Sequence, residues 1–178
     1  MTFPNVGCNL SVVVLNFRTA ERTIRAIECL PDASDEFTIE TIVVDNGSND
    51  GSAETIRKRF PQMHIVELPT NMGFSAGMNA GIRAASGDFI LLLNSDIEAE
   101  PGSVVKLIEF MRDNPNVGLT APLLVDENGK PNRSLLVQPT LSGVFIPLLG
   151  KLRYKQWRHR IGVEPLDVEA TEGAAVFV

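Results

Sequence analysis

Phe89-Ile90-Leu91-Leu92-Leu93-Asn94-Ser95-Asp96 decides the fold of this chain. Five apolar residues run straight into a polar tip that ends in an acid. The run is far too short to span a bilayer and has the length of a strand buried on both faces. Strands of that kind belong to parallel sheets covered by helices on each side. In open α/β sheets, ligands bind just beyond the carboxyl ends of the strands. Asp96 therefore falls where a site is expected. An acid there can hold a hard divalent cation, which can neutralise a diphosphate.

The same pattern occurs twice more. Ser11 to Leu15 is an apolar run followed by Asn16-Phe17-Arg18-Thr19, and Glu40 to Val44 is one followed by Asp45-Asn46-Gly47-Ser48-Asn49-Asp50-Gly51-Ser52. Three strands ending in polar, turn-forming clusters would bring those clusters together on one sheet edge. Between the strands lie helical patterns. Thr19 is a plausible N-cap for a helix carrying Ile24, Ile27 and Leu30 and stopped by Pro31. A second helix is expected over about 52–60, a weak strand at His64 to Leu68, and a helix opened by Pro101 with Val104, Val105, Leu107, Ile108 and Met111 on its core face. The repeated β–α order predicts right-handed crossovers and a mostly parallel sheet.

The stretch Asn71 to Ile82 places Gly73, Gly77 and Gly81 four residues apart. In a helix they form one smooth stripe, at a cost of roughly 1 kcal/mol each relative to alanine. Either tight helix–sheet packing or contact with a ligand must offset that cost. Beyond the helix at 101, Val117 to Val125 reads as an irregular or edge strand because Pro122 breaks it. Asp126 to Lys130 reads as a hairpin-type turn with the chain returning through 133–137. Glu172 to Val178 reads as a final strand.

The chain has 178 residues, 44% of them hydrophobic and 21% charged, which suits one domain with one buried core. Its net charge of −6 argues against a nucleic-acid partner, which needs a basic face. One local exception is KLRYKQWRHR, Lys151 to Arg160, preceded by a Pro- and Gly-rich apolar stretch from Pro139. It reads either as a solvated segment with its aromatics packed inward or as a membrane-surface or anionic-substrate patch. Cys8 and Cys29 lack metal-ligand spacing. No basic region followed by an apolar core opens the chain, and no apolar run reaches about 18 residues. A cytoplasmic protein is expected, with peripheral contact at the inner face of the membrane through Pro139 to Arg160 as a variant of that expectation.

Four segments, taken in order, resemble the family-2 inverting glycosyltransferases of the rhamnosyltransferase-like kind. They are SVVVLNFR (Ser11 to Arg18), IVVDNGSNDGS (Ile42 to Ser52), NMGFSAGMNAGI (Asn71 to Ile82) and GDFILLLNSD (Gly87 to Asp96). The closing EGAAVFV (Glu172 to Val178) resembles that family's glycine-led strand beside the acceptor site. The likeness covers residues 10 to 125 well and the rest loosely.

The resemblance implies an α/β GT-A fold, a Rossmann-like sandwich with a mostly parallel central sheet. It implies transfer, with inversion, from a nucleotide-diphosphate sugar to a glycan or lipid-linked acceptor in cell-surface polysaccharide synthesis. The donor would be a dTDP- or UDP-sugar, dTDP-rhamnose among them. Leu15 and Phe17 would border the base pocket, and Asp45 would accept from a pyrimidine ring N–H. The alternative for Asp45 is a turn carboxylate capping local N–H groups. Asn71, Gly73 and Asn79 would lie on the donor side, with a helix-surface amide as the alternative for Asn79. Asn94-Ser95-Asp96 stands where many relatives carry Asp-x-Asp, so Asp96 would be the principal protein ligand to Mg2+ or Mn2+, with a helix or turn cap before Pro101 as the alternative.

Such a reaction also needs a general base. The family's base follows the glycine-led strand, so it is expected beyond Val178. Glu164, Asp167, Glu169 and Glu172 are the late acids here, and none has the matching context. One donor-binding domain over 1–178, its acceptor side cut short, is the expectation, and alone it should be inactive. The competing reading is a nucleotide-sugar-binding module without catalysis. A nucleotidyltransferase is disfavoured because no glycine-rich loop with Arg and Lys opens the chain. A dinucleotide oxidoreductase is disfavoured because no G-x-G-x-x-G follows the first strand.

Overall fold

The computed structural model describes residues 8–33, 37–131, 135–136, 165, 167–168, 170–171 and 173–178. The elements run β1 (Cys8–Asn16), α1 (Ala20–Glu28), β2 (Phe37–Asp45), α2 (Ser52–Arg59), β3 (His64–Glu67), α3 (Phe74–Ala84), β4 (Phe89–Asn94), α4 (Ser103–Asp113), β5 (Leu135–Leu136), β6 (Ala170–Thr171) and β7 (Ala175–Phe177). The chain divides into two compact units, Met1–Thr120 with Ala174–Val178, and Ala121–Gly173.

The first unit is built on a five-stranded sheet in the order β3-β2-β1-β4-β7. β1 lies parallel to both β2 and β4, with Asn16 opposite Asp45 and Leu15 opposite Asn94. β3 is parallel to β2, and β7 is antiparallel to β4. The chain steps outward from β1 to β3 and then returns across β1 to β4. Right-handed crossovers therefore put α1 and α2 on one face and α3 on the other. The polar ends of β2, β1 and β4 lie side by side, as the sequence implies.

β1 has both faces covered, with Leu10, Val12, Val13 and Val14 fully buried, and so has the end of β2, with Ile42, Val43 and Val44 fully buried. β4 differs from the expectation of burial on both faces. Leu91 and Leu93 are buried, but Phe89, Ile90 and Leu92 keep partial exposure. The physical reason is position, since β4 neighbours the edge strand β7 rather than lying at the centre. Ile90 and Leu92 pack on the cluster that Val13 and Val44 of the sheet form with Met78 of α3. β7 is held by Phe177, which is fully buried, tilts against Phe89 with ring centroids 5.5 Å apart and exchanges both backbone hydrogen bonds with Thr120.

Two helix starts also depart from the sequence reading. α3 begins at Phe74, and Gly73 stands before it as N-cap with φ +83. The glycine stripe inside the helix is thus Gly77 and Gly81 alone. α4 begins at Ser103, with Gly102 as N-cap at φ +77, so Pro101 belongs to the preceding turn. Val117 to Val125 forms no strand; Thr120 and Val125 make isolated bridges to Phe177 and Pro131.

In the second unit the expected turn forms: Asp126 N–H donates to the Lys130 carbonyl and Gly129 N–H to the Asp126 carbonyl. β5 pairs antiparallel with β6. The segment Pro139 to Arg160 lies outside the described residues, as do Glu164, Glu169 and Glu172; Asp167 is exposed. Among the described residues, no helix is long and apolar enough to cross a membrane.

Candidate functional site

The β1–β4 junction is where the sheet order reverses, the place where open α/β sheets leave a crevice. A cleft of about 250 Å³ opens there, lined by Leu15, Phe17, Thr19, Arg22, Phe74, Asn94, Ser95 and Asp96. One wall is apolar and aromatic, from Leu15, Phe17 and Phe74. The other is the polar tip of β4. A larger open groove of about 530 Å³ adjoins it, lined by Arg18, Arg22, Asp50 and Thr55 among others. That groove lies between the starts of α1 and α2. We place the site in the smaller cleft because it alone contains the strand-end residues of β4.

Beneath the cleft lies a buried polar network. Asn16 is fully buried and its Nδ2 donates to Asp45 Oδ1 at 2.6 Å and to Ser48 Oγ at 3.2 Å. Its Oδ1 accepts from Thr23 Oγ1 at 2.9 Å and from the Thr19 N–H and hydroxyl, each at 3.3 Å. Thr19 occupies the N-cap of α1, as its sequence position suggests, yet its side chain makes no capping bond. Its hydroxyl is engaged by Asn16 and by Ser95 Oγ, 3.1 Å away.

Asp45 is only 5% exposed. Its Oδ1 accepts from Asn16 and from Ser48 Oγ at 2.5 Å, and its Oδ2 from the Ser48 N–H at 3.1 Å. The turn-capping role is therefore present. A carboxylate offers about four acceptor positions, so one on Oδ2 is left over.

Asn71 and Gly73 stand in the exposed loop that leads into α3. Asn71 Oδ1 accepts from the Gly73 N–H at 2.9 Å and from Asn46 Nδ2 at 3.1 Å. Asn46, nearly fully buried, also accepts the Met72 N–H and donates to the Gly73 carbonyl. This side chain fixes the loop that delivers Phe74 to the cleft. Gly47 makes the approach feasible: a Cβ there would lie 2.5 Å from Thr70 Cα and 2.8 Å from Asn71 N. Asn79 is exposed on α3 and is not part of the cleft lining. Gly77 and Gly81 serve packing, since a Cβ at Gly77 would lie 2.5 Å from Leu15 Cδ1.

Asp96 is exposed, and among the described residues it has no ion-pair partner. No group of three or more acidic, His or Cys side chains is placed to hold a metal among the described residues. One free carboxylate at a strand tip fits a cation of the magnesium type, whose shell is completed by ligand phosphates and water rather than by a protein cage. Arg22, also exposed, adds positive charge to the same lining.

The structure thus brings together Leu15, Phe17, Asn94, Ser95 and Asp96, while Asp45 is buried outside the cleft lining and is linked to it through Asn16 and Thr19. It leaves Asn71 and Gly73 in the neighbouring loop and Asn79 apart. Asn16, Asn46, Thr19, Arg22 and Phe74 were not singled out as site residues by the sequence reading. The available signal for the two asparagines was an amide directly at the end of, or just after, an apolar strand.

Known proteins sharpen this picture. The N-acetylglucosaminyl-diphospho-decaprenol L-rhamnosyltransferase of Mycobacterium tuberculosis is 24% identical over 143 residues, covering 74% of this chain and 46% of that protein. The succinoglycan biosynthesis protein ExoO of Rhizobium meliloti is 32% identical over 102 residues, covering 57% and 29%. The chain spans less than half the length of these relatives. Among solved structures, the mannosyltransferase PcManGT from Pyrobaculum calidifontis, in complex with GDP-Man and Mn2+, superposes with TM-score 0.55 at 22% identity, over 65% of this chain and 35% of that one. S. aureus TarS 1–349 in complex with UDP-GlcNAc gives 0.59 at 19% identity, over 74% and 39%. These likenesses establish the GT-A fold. The family model described as Glycosyl transferase family 2 matches residues 11–165, most of the sequence, and the chain belongs to that family.

Proposed function

We propose that this chain is the donor-binding part of an inverting glycosyltransferase that takes a nucleotide-diphosphate sugar, a dTDP- or UDP-sugar with dTDP-rhamnose among the candidates. The acceptor is a glycan or lipid-linked sugar in cell-surface polysaccharide synthesis. One observation carries the reading: a single cleft at the sheet's switch point joins an aromatic wall to a free carboxylate. A nucleoside diphosphate has that same polarity, a flat base at one end and two phosphates at the other.

In this reading Leu15 and Phe17 face the base, with Phe74 on the same apolar wall. The base's ring N–H reaches the remaining acceptor position on Asp45 Oδ2. Asn94 and Ser95 hydrogen-bond the donor. Asp96 would hold Mg2+ or Mn2+, which supplies charge neutralisation for the leaving diphosphate. Arg22 adds a fixed positive charge to that end of the cleft. Among the described residues Asp96 is the one carboxylate in the cleft lining, and in this reading it serves the cation while another acid deprotonates the acceptor hydroxyl. The setting is the cytoplasmic side of a membrane, in keeping with a lipid-linked acceptor and with the basic segment Lys151 to Arg160.

The relatives support the class: an N-acetylglucosaminyl-diphospho-decaprenol L-rhamnosyltransferase, and the undecaprenyl-phosphate 4-deoxy-4-formamido-L-arabinose transferase of Pectobacterium atrosepticum, 36% identical over 75 residues. Calorimetric titration with UDP, dTDP and GDP, each with and without Mg2+ or Mn2+, tests the proposal. Metal-enhanced binding of at least one pyrimidine diphosphate is expected. Failure of all three to bind would reject it.

A further inference from the structure

The hydroxyl of Ser95, beside Asp96 in the cleft, is joined to the buried carboxylate of Asp45 by an unbroken chain of hydrogen bonds. The links are Ser95 Oγ to Thr19 Oγ1 at 3.1 Å, Thr19 Oγ1 to Asn16 Oδ1 at 3.3 Å, and Asn16 Nδ2 to Asp45 Oδ1 at 2.6 Å. The direction of the chain follows from chemistry. Asn16 Oδ1 can only accept, so Thr19 gives its one proton to Asn16. Ser95 must then donate to Thr19. Every link thus points towards Asp45, and Ser95 Oγ is left with lone pairs alone to offer a ligand.

The centre of this chain is unusually constrained. Asn16 has no solvent exposure, and both of its side-chain atoms are engaged, by Thr19, Thr23, Asp45 and Ser48. A buried, saturated amide has one low-energy orientation. It touches neither the cleft nor its ligand, yet it contacts the groups that set both ends of it. Thr19 makes no capping bond for its own helix, so its side chain serves this chain instead. A merely structural asparagine would need neither the Thr19 diversion nor the link to β4.

We propose that Asn16 is a positioning residue that couples the base end of the site to its phosphate end: it holds Asp45 for the nucleobase and, through Thr19, holds Ser95 with its lone pairs free for the cation that would accompany the diphosphate. This inference rests on the donor reading above and deepens it.

The test uses the full chain and separates the two ends with two probes. Uridine and thymidine report the base end alone; UDP and dTDP, with and without Mg2+, report the increment from the phosphate end. Thr19→Val keeps the side-chain shape and loses the hydroxyl, and nucleoside affinity is measured alongside as the reference for the increment. The Mg2+ increment should fall by about tenfold, the scale of one lost charge-linked hydrogen bond. Thr19→Ser, which restores the hydroxyl, should recover it. In Asn16→Ala both quantities should fall together. Should Asn16→Ala fail to fold, the Thr19 pair still decides. A Mg2+ increment in Thr19→Val equal to the parent's would overturn the coupling while leaving the donor reading intact. Absence of nucleotide binding by the parent would overturn both.

Discussion

The backbone of Gly81 lies directly against the side chain of Val13: a Cβ at position 81 would overlap Val13 Cγ1 and lie 3.0 Å from Val44 Cγ2. Val13 sits at the centre of the sheet with no exposure, and a β-branched side chain in a strand has little freedom to turn away. The glycine therefore sets how closely α3 approaches β1 and β2. Gly81→Ala should destabilise the fold by about 1–3 kcal/mol, the usual cost of overpacking a core. Chemical denaturation of the two proteins measures it. Stability equal to or above the parent's would mean that α3 can lift from the sheet at little cost.

Asp45 offers a test of the base end. Asp45→Asn removes the negative charge that accepts from Asn16, from the Ser48 hydroxyl and from the Ser48 N–H. One amide atom becomes a donor facing donors. The proposed bond to a pyrimidine N–H loses its charge assistance as well, at a cost of roughly 1.5–3 kcal/mol. Weaker binding of UDP and dTDP is expected, with GDP affected less, and some loss of thermal stability alongside. Calorimetry on the folded variant reads the first and a melting curve the second. Unchanged UDP and dTDP affinity would remove Asp45 from the base pocket.

The polar sheet edge was legible because three independent apolar runs of strand length each end in a polar cluster. Their parallel direction followed from the β–α alternation, whereas the order β3-β2-β1-β4-β7 is set by long-range pairing that no local pattern encodes. Thr19 was legible as a cap position, but not the turning of its hydroxyl towards Asn16 and Ser95, because that depends on a contact between residues 76 positions apart. The same limit applies to Asn46, whose partners at 71–73 lie across β3. Gly73, Gly77 and Gly81 looked alike in spacing, yet the first bends the chain at positive φ and the others admit neighbours. Spacing records periodicity and cannot separate a turn from a close approach. Phe74 reaches the cleft only through the loop that Asn46 anchors, which no local pattern encodes.

At the opposite end of the sheet, Glu40 accepts from the Ser11 hydroxyl, from the Ser86 N–H at 2.6 Å and from the Ser86 hydroxyl at 2.8 Å. Burial pushes its carboxyl upward, but these donors outweigh burial and hold it below the ordinary glutamate value. A carboxyl lowered on folding contributes stability above its unfolded pKa of about 4.3 and loses it as pH falls through the folded value. The stability gap between the parent and Glu40→Gln should therefore be constant from neutral pH down to about 5 and narrow at more acid pH. Denaturation curves across that range supply the measurement. A gap that widens on acidification would mean that the donors do not favour the charged form.

Asp96 gives the last prediction, at the phosphate end. It stands just past the end of β4, exposed, next to Ser95 and without an ion-pair partner among the described residues. Its side chain supports no packing, and surface substitutions of that kind stay within about 0.5 kcal/mol of the parent in stability. Asp96→Ala should therefore leave the melting temperature nearly unchanged. Binding should respond differently. If this carboxylate anchors the cation that bridges to the diphosphate, the variant should bind UDP or dTDP with the same affinity whether or not Mg2+ is present. Uridine or thymidine, which carry no phosphate, should bind as they do to the parent. Asp96→Asn keeps one acceptor oxygen but no charge, so a small residual increment is expected there. An undiminished Mg2+ increment in Asp96→Ala would move the cation elsewhere in the cleft, and a matching loss of nucleoside binding would show instead that the substitution disturbs the base end through Ser95 and Thr19.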